Sequence, residues 1–259
     1  MRKTTSLMFT VLGLGLGAWA VQARGQSPAS PSSARAAAAI DTRWKDSLDA
    51  FAAADKLQAP ATGGILFVGS SSIRLWSDLE QAFAMPPRTV LKRGFGGSRM
   101  LDCAQHVSQL VLPYQPRLVV VYAGDNDLAE GRTPQQVLQS FTTFVDTVRQ
   151  ALPGTRIAYL SIKPSPLRAN LIDAARETNA LIEAYSDSVP NLDYIDVFSR
   201  MLDAQGRPRA DLFLPDALHL NDAGYALWRT VIGPHLQLPA GPGSPSELQP
   251  GEPSTTAAR

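Results

Sequence analysis

The stretch that decides the fold is Ile65-Leu66-Phe67-Val68-Gly69-Ser70-Ser71-Ser72. Its continuous apolar run is typical of a strand that is buried on both faces, as strands of parallel sheets are. Gly69 ends the run, and serines follow it directly. A serine at a turn from a strand into a helix is exposed, and the N-terminus of that helix favours negative charge. The stretch therefore predicts a buried strand that ends in a polar, potentially reactive turn.

Further strand-like segments alternate with helical segments along the chain. The predicted strands after the first one (65–68) are 89–92, 117–122, 156–162 and 192–197, and the main predicted helices are 40–57, 134–152, 168–188 and 221–235. This alternation is typical of βαβ units with right-handed crossovers. We therefore expect an α/β fold, a three-layer αβα sandwich with a mostly parallel, flavodoxin-like five-stranded sheet. Ligands of such sheets bind beyond the carboxyl ends of the strands.

The N-terminus is interpreted as an export signal. Arg2 and Lys3 precede an apolar run over residues 7–21, and Val21-Gln22-Ala23 has the small-x-small pattern of a cleavage site. The alternative is an uncleaved membrane anchor, but the run of ~15 residues is shorter than the ~20 that span a bilayer. The pattern predicts an exported protein, periplasmic or secreted, with no stable membrane anchor after cleavage.

The remaining segments define the domain organisation. Residues 1–23 are the predicted signal peptide, and residues 24–39, rich in Ser, Ala and Pro, are interpreted as a flexible spacer. Residues 40–238 are the predicted folded domain. Residues 239–259 are rich in Pro, Gly and Ser, and we expect a disordered tail there.

Composition excludes several classes of function. The 259-residue chain has 24 Lys and Arg against 23 Asp and Glu, so no basic excess indicates a nucleic-acid partner. Cys103 is the only cysteine, which rules out an internal disulfide and favours a buried thiol. The sequence has no zinc or calcium ligand pattern, so neither a metal nor another cofactor is expected.

A candidate acid–base pair lies near the C-terminus. His219 follows Asp216 by three residues, a spacing that lets the carboxylate reach the imidazole within one turn of chain. An acid in that position fixes the tautomer of the imidazole and stabilises its charged form. The alternative is an ordinary Asp–His pair on the surface, which the spacing by itself does not exclude.

Candidate partners for this pair follow the predicted strands. Ser71 lies in the serine run, where any one of the serines could instead cap the following helix. Gly96-Gly97 allows the backbone to approach a ligand closely and present an N–H, although it could be a plain tight turn. The side-chain amide of Asn126 can donate to an oxyanion, although asparagine is also a common turn residue.

Taken together, these segments resemble the SGNH hydrolase superfamily, also known as GDSL-type esterases and lipases. The family carries Ser, Gly, Asn and His in separate blocks, in that order. The matching blocks are 67–72, 93–98, 122–127 and 216–219. Four matches in sequence order are far more specific than one short motif.

The resemblance implies a role for each matching residue. Ser71 takes the place of the nucleophile, and Asp216 and His219 take those of the acid and base. The oxyanion hole would consist of the N–H groups of Ser71 and Gly97 and the amide of Asn126. One position departs from the family: Ser70 stands where an aspartate is usual, which leaves Ser70 or Ser72 as alternative reactive hydroxyls.

The implied function is an exported serine esterase. Its substrates would be small acyl esters, acetylated carbohydrates or lysophospholipid-like esters, and Arg93 and Arg99 could meet an anionic substrate. Acetyl transfer at the same site and a non-catalytic binding module on the same fold are the alternatives. A nucleotide-binding protein is disfavoured, because neither a G-x-G-x-x-G motif nor a P-loop is present.

Overall fold

The structure is a computed structural model that describes residues 31–84, 86 and 89–237, with side chains from residue 43 onwards. The predicted signal peptide and the C-terminal tail lie outside the described residues. The chain forms two compact units that divide after Arg43. Residues 31–43, which are helical, are the only part of the first unit that is described. They form the start of the first helix, and all other elements below belong to the second unit.

The second unit is built on a parallel sheet of five strands. The strands are β1 (Ile65–Gly69), β2 (Val90–Gly94), β3 (Leu118–Tyr122), β4 (Arg156–Leu160) and β5 (Leu192–Ile195). Their order is β2-β1-β3-β4-β5, with every neighbouring pair parallel. This is the flavodoxin-like order: β2 lies on one side of β1, and the chain then crosses over to place β3, β4 and β5 on the other side. The predicted fold class is confirmed.

Helices cover both faces of the sheet. They are α1 (Pro31–Leu57), α2 (Ser71–Arg74), α3 (Leu79–Ala82), α4 (Met100–Gln105), α5 (Val107–Leu110), α6 (Asp125–Ala129), α7 (Pro134–Ala151), α8 (Ile172–Asp187) and α9 (Asp222–Ile232). Side chains of a strand alternate between its faces. On β1, Leu66 and Val68 pack towards α1, α4, α5, α7 and α8, whereas Ile65 and Phe67 pack towards α2, α3 and α9. Burying each such side chain contributes about 1.5–3 kcal/mol.

Two helix boundaries differ from the sequence prediction. The first helix begins at Pro31 and not at residue 40, so residues 31–39 of the predicted flexible spacer are helical. Proline suits the first position of a helix and the alanine run after it has the highest helix propensity, which explains the earlier start. The helix predicted from residue 168 begins instead as a 3₁₀ turn, Pro166–Leu171, with a non-helical Arg168, and α8 follows it.

No helix within the described part of the chain is long and apolar enough to cross a membrane.

Candidate active site

Ser71 stands at the point where β1 turns into α2. Gly69 ends the strand with φ +148°, and a Cβ atom there would lie 1.9 Å from the carbonyl oxygen of Tyr122 on β3. Only glycine fits so close to a neighbouring strand in this conformation. Ser70 is the N-cap residue of α2 and Ser71 is its first residue. The N–H of Ser71 is therefore among those that a helix leaves without an intrahelical partner.

Ser71, His219 and Asp216 form one hydrogen-bonded chain. The Nε2 atom of His219 lies 3.0 Å from the Oγ atom of Ser71, and its Nδ1 atom lies 2.7 Å from the Oδ2 atom of Asp216. The sequence separates Ser71 and His219 by 148 residues, and the fold brings them together. The geometry is that of a nucleophile, a base and an orienting acid.

A strained turn positions the acid beside the base. Ala217, between them, has φ +57°, a left-handed conformation that is costly for a residue with a Cβ atom. The Oδ1 atom of Asp216 accepts the N–H groups of Leu218 at 3.0 Å and His219 at 2.9 Å. The hydrogen bond from the His219 side chain, followed by those from the backbone, lowers the pKa of Asp216 to about 2. Asp216 is therefore ionised at neutral pH.

The neighbouring serines are placed differently. Ser70 and Ser72 are both buried, and the carbonyl oxygen of Ser72 accepts the hydroxyl hydrogen of Tyr225 at 3.0 Å. Ser71 is half-buried and is the member of the run that contacts the imidazole. This geometry favours Ser71 over both alternatives as the reactive hydroxyl.

Two of the predicted oxyanion donors follow β2 and β3: Gly97 lies on the loop after β2, and Asn126 lies in the first turn of α6. The residues that end β1, β2 and β3 (Gly69, Gly94 and Tyr122) are paired in register, so the three loops leave the same edge of the sheet. Gly97 has φ +81°, which favours glycine. The Nδ2 atom of Asn126 donates to the carbonyl oxygen of Ser98 at 3.0 Å, which ties the two loops together beside Gly97.

A buried group of charges behind Asn126 was not found from the sequence. The Nζ atom of Lys163, whose side chain is 2% exposed, lies 2.7 Å from the Oδ2 atom of Asp125. A guanidinium nitrogen of Arg168 lies 2.5 Å from the Oδ1 atom of Asp125, and another donates to the Oδ1 atom of Asn126 at 3.0 Å. Burial alone would raise the pKa of Asp125, but the two cations outweigh it and lower this pKa. The one available signal was that Lys163 directly follows the predicted strand 156–162.

Arg93 and Arg99 are held inside the protein. Arg93 pairs with Asp55 and donates to the hydroxyl oxygen of Tyr114 at 2.7 Å. Arg99 donates to Asp102 at 2.8 Å, and both arginine side chains are nearly buried. The suggestion that they meet an anionic substrate is therefore not supported, because their guanidinium groups are occupied by internal partners.

Asp127, beside Asn126 in the third block, and Cys103 both pack inside the protein. Asp127 is buried and its Oδ2 atom accepts the N–H of Met100 at 2.8 Å, which fastens α6 to the start of α4. Burial raises the pKa of this carboxyl. Cys103 is a buried free thiol. Within residues 43–237, as far as they are described, no group of three or more His, Cys, Asp and Glu side chains is arranged to hold a metal ion.

The fold and the blocks at its strand ends define a member of the SGNH hydrolase superfamily. The sequence model of the GDSL-like Lipase/Acylhydrolase family matches residues 66–227, more than half of the chain. The chain belongs to this family, and the resemblance seen in the sequence is confirmed. Membership supports an ester-hydrolysing function at the level of the family. No curated protein sequence matches the chain.

Solved structures share the fold at low sequence identity. A Streptococcus pneumoniae protein, proposed to be a platelet activating factor, has a TM-score of 0.67 and 17% identity, over 80% of this chain and 99% of its own. A GDSL-like lipase from Bacteroides thetaiotaomicron has a TM-score of 0.61 and 18% identity, over 73% and 96%. A carbohydrate esterase of family 3 from Talaromyces cellulolyticus has a TM-score of 0.54 and 18% identity, over 68% and 96%.

Proposed function

We propose that this protein is a serine esterase that hydrolyses carboxylic esters through an acyl-enzyme on Ser71. The observation that carries the proposal is the position of the His219 imidazole. One ring nitrogen lies 3.0 Å from the Ser71 hydroxyl oxygen, and the other lies 2.7 Å from the Asp216 carboxylate. Because Asp216 is ionised and can only accept, the hydrogen of the imidazole is on Nδ1 and the lone pair on Nε2 faces Ser71.

Acylation begins when the Oγ atom of Ser71 attacks the ester carbonyl and its proton passes to Nε2 of His219. The carbonyl oxygen becomes an oxyanion, which the N–H groups of Ser71 and Gly97 and the amide of Asn126 stabilise. The charged imidazole is stabilised by Asp216. The tetrahedral intermediate then collapses, the bond to the leaving oxygen breaks, and His219 protonates the departing alcohol.

Deacylation repeats the same steps with water. His219 removes a proton from a water molecule whose oxygen attacks the acyl carbonyl, and the same donors hold the second oxyanion. The bond to the Oγ atom of Ser71 breaks, His219 returns the proton to the serine, and the carboxylic acid leaves. The cycle uses side chains and backbone N–H groups of the protein and one water.

Three exposed leucines around the site favour a substrate with an apolar portion. Leu75, Leu167 and Leu214 are 38%, 59% and 43% exposed. Their N–H groups donate to the carbonyl oxygens of residues 71, 217 and 219, so all three adjoin the proposed triad. Leu75 and Leu214 also line a groove of about 580 Å³ beside the triad, whose lining includes the charged side chains of Asp78, Asp222 and Arg229 as well. Removing acyl or aryl groups from water there would contribute about 25 cal/mol per Å² of buried apolar area.

The test is hydrolysis of p-nitrophenyl acetate, butyrate and octanoate by the mature protein and by its Ser71→Ala variant. We expect turnover that the variant loses, while Ser188→Ala, a change to an exposed serine at the end of α8, keeps it. Phenylmethylsulfonyl fluoride should add one sulfonyl group, which peptide mass spectrometry should locate on Ser71. Retained turnover in Ser71→Ala, or a label on Ser70 or Ser72, would overturn the assignment.

The remaining outcomes separate the alternatives. Transfer of the acyl group to an added sugar in place of water would favour an acetyltransferase at the same site. Absence of both turnover and labelling would favour a non-catalytic binding module. We also propose export on the basis of residues 1–23, which an N-terminal sequence of the protein recovered from outside the cytoplasm would test.

A further inference from the structure

The geometry points to Arg168 as a positioning residue for the oxyanion hole: its guanidinium fixes the side-chain amide of Asn126 so that one N–H faces the developing negative charge. This inference rests on the proposed function. It adds a residue that no motif of the sequence singles out. Arg168 lies on the 3₁₀ turn that follows β4, 42 residues after Asn126.

The contacts of Asn126 define the orientation of its amide. Its Oδ1 atom accepts from Arg168 at 3.0 Å, and its Nδ2 atom donates to the carbonyl oxygen of Ser98 at 3.0 Å. A guanidinium has no acceptor and a carbonyl has no donor, so the flipped amide would lose both bonds and face two repulsive contacts. The amide nitrogen carries two hydrogens. The carbonyl oxygen of Ser98 accepts one of them, and within the described residues the other has no acceptor, so it remains for a ligand.

Arg168 is itself ion-paired with a carboxylate. Its Nη1 atom lies 2.5 Å from the Oδ1 atom of Asp125. The Oδ2 atom of the same carboxylate lies 2.7 Å from the Nζ atom of Lys163. The side chain of Arg168 is 19% exposed, so its charge is only partly screened by water. Lys163 already balances the negative charge of Asp125. Arg168 is therefore not needed merely to neutralise this carboxylate.

A charged donor on Oδ1 also strengthens the opposite end of the amide. Hydrogen bonds to ionised groups are about twice as strong as neutral ones, and linked hydrogen bonds polarise each other. The guanidinium of Arg168 therefore makes the free Nδ2–H of Asn126 a better donor. An oxyanion exists in the transition state and not in the bound ester. The contribution of Arg168 is therefore expected in kcat more than in KM.

The experiment is a double-mutant cycle between Arg168 and Asn126. Arg168→Met, Asn126→Ala and the double variant are assayed for kcat and KM on p-nitrophenyl acetate, with thermal unfolding as the measure of folding. Arg176→Met, which removes an exposed arginine from α8, is the matched control. Loss of an oxyanion donor costs on the order of 10²–10³ in kcat, which sets the upper limit for a residue that acts through it.

We expect Arg168→Met to lower kcat on the order of 10- to 100-fold with little change in KM, and to add nothing in the Asn126→Ala background. Arg168→Lys, which keeps the charge but loses the planar fork, should fold normally and recover part of the activity. A trifluoromethyl ketone forms a hemiketal oxyanion with the nucleophile, and its inhibition constant should weaken by the same factor as kcat/KM.

Other results would overturn the inference. Equal losses from Arg168→Met with and without Asn126 would show that Arg168 acts independently of the amide, and a change in KM alone would show that it binds substrate. If Arg168→Met does not fold, full kcat in Arg168→Ala, which offers no donor to the Oδ1 atom of Asn126, would contradict the inference. Failure of the proposed function is distinguishable, because it would show as retained turnover in Ser71→Ala.

Discussion

Replacing Asp216 by Asn should inactivate the protein more severely than replacing it by Ala. The Oδ1 atom of Asp216 accepts two backbone N–H groups, from Leu218 and His219, while its Oδ2 atom faces the imidazole. An asparagine keeps the backbone bonds only with its carbonyl oxygen in the Oδ1 position. Its NH₂ group then faces Nδ1 of His219, which must become an acceptor, and the hydrogen moves to Nε2. The base can no longer accept the proton of Ser71.

The size of the effect follows from the bonds that enforce the wrong tautomer. To restore the right one, the amide must flip and give up two backbone hydrogen bonds, each worth about 0.5–1.5 kcal/mol. The sum of about 1–3 kcal/mol corresponds to a factor of about 5–150 in rate. Alanine imposes no tautomer on His219, so Asp216→Ala should be faster than Asp216→Asn by roughly that factor. Asparagine at the equivalent acid of the chymotrypsin-type triad costs about 10⁴ in kcat.

The assay is kcat on p-nitrophenyl acetate at neutral pH for the wild-type protein and both variants, with thermal unfolding to show that all three are folded. Asp211→Asn changes another exposed aspartate, on the segment before the turn that holds Asp216 and His219, and serves as the control. Equal rates for the two Asp216 variants, or a faster Asn variant, would refute the reasoning, because the backbone bonds of Asp216 would then not dictate the tautomer.

Three further predictions concern stability and substrate choice. Gly69→Ala should destabilise the fold by at least about 1–3 kcal/mol in chemical denaturation, because its φ of +148° disfavours a side chain; an unchanged midpoint would contradict this. Asp125→Asn should cost about 3–5 kcal/mol at pH 7 by leaving the charge of Lys163 without its carboxylate partner. Because the folded-state pKa of Asp125 is lowered, its stabilisation is present above the unfolded pKa of about 3.9 and is lost as pH falls through the folded pKa. The deficit of Asp125→Asn should therefore shrink in acid, and a pH-independent deficit would contradict the pairing. Leu214→Ser should lower kcat/KM for p-nitrophenyl octanoate more than for the acetate, whereas Leu57→Ser, 91% exposed on α1, should change neither; an equal loss on both esters would contradict an apolar subsite.

The parts of the fold that could be predicted from the sequence are those with a local physical signature. A continuous apolar run such as Leu118–Tyr122 indicates a strand buried on both faces, whatever it pairs with. The site residues could be proposed because each follows such a strand or, like Asp216, lies near its partner in sequence. The resemblance to a family supplied the order of the blocks, which no single spacing could give.

The contacts that could not be predicted depend on the folded chain. Arg168 reaches Asn126 across 42 residues, and Lys163 reaches Asp125 across 38, with no periodicity or motif to link them. The 3₁₀ turn at the start of the predicted helix 168–188 could not be predicted either. Helix propensity does not show which tertiary contacts the first turn of a helix will make.

The turn at Pro166–Leu171 connects the two halves of the proposed machinery. Arg168 binds the amide of Asn126 on one side, while the N–H of Leu167 donates to the carbonyl oxygen of Ala217 at 2.9 Å on the other. Ala217 is the left-handed residue between the acid and the base, so this bond helps to hold the strained turn that forms the Asp216–His219 pair. One short segment thus contacts both Asn126, the proposed oxyanion donor, and the turn that holds His219, the proposed base. A displacement of this turn should therefore weaken proton transfer and oxyanion binding together.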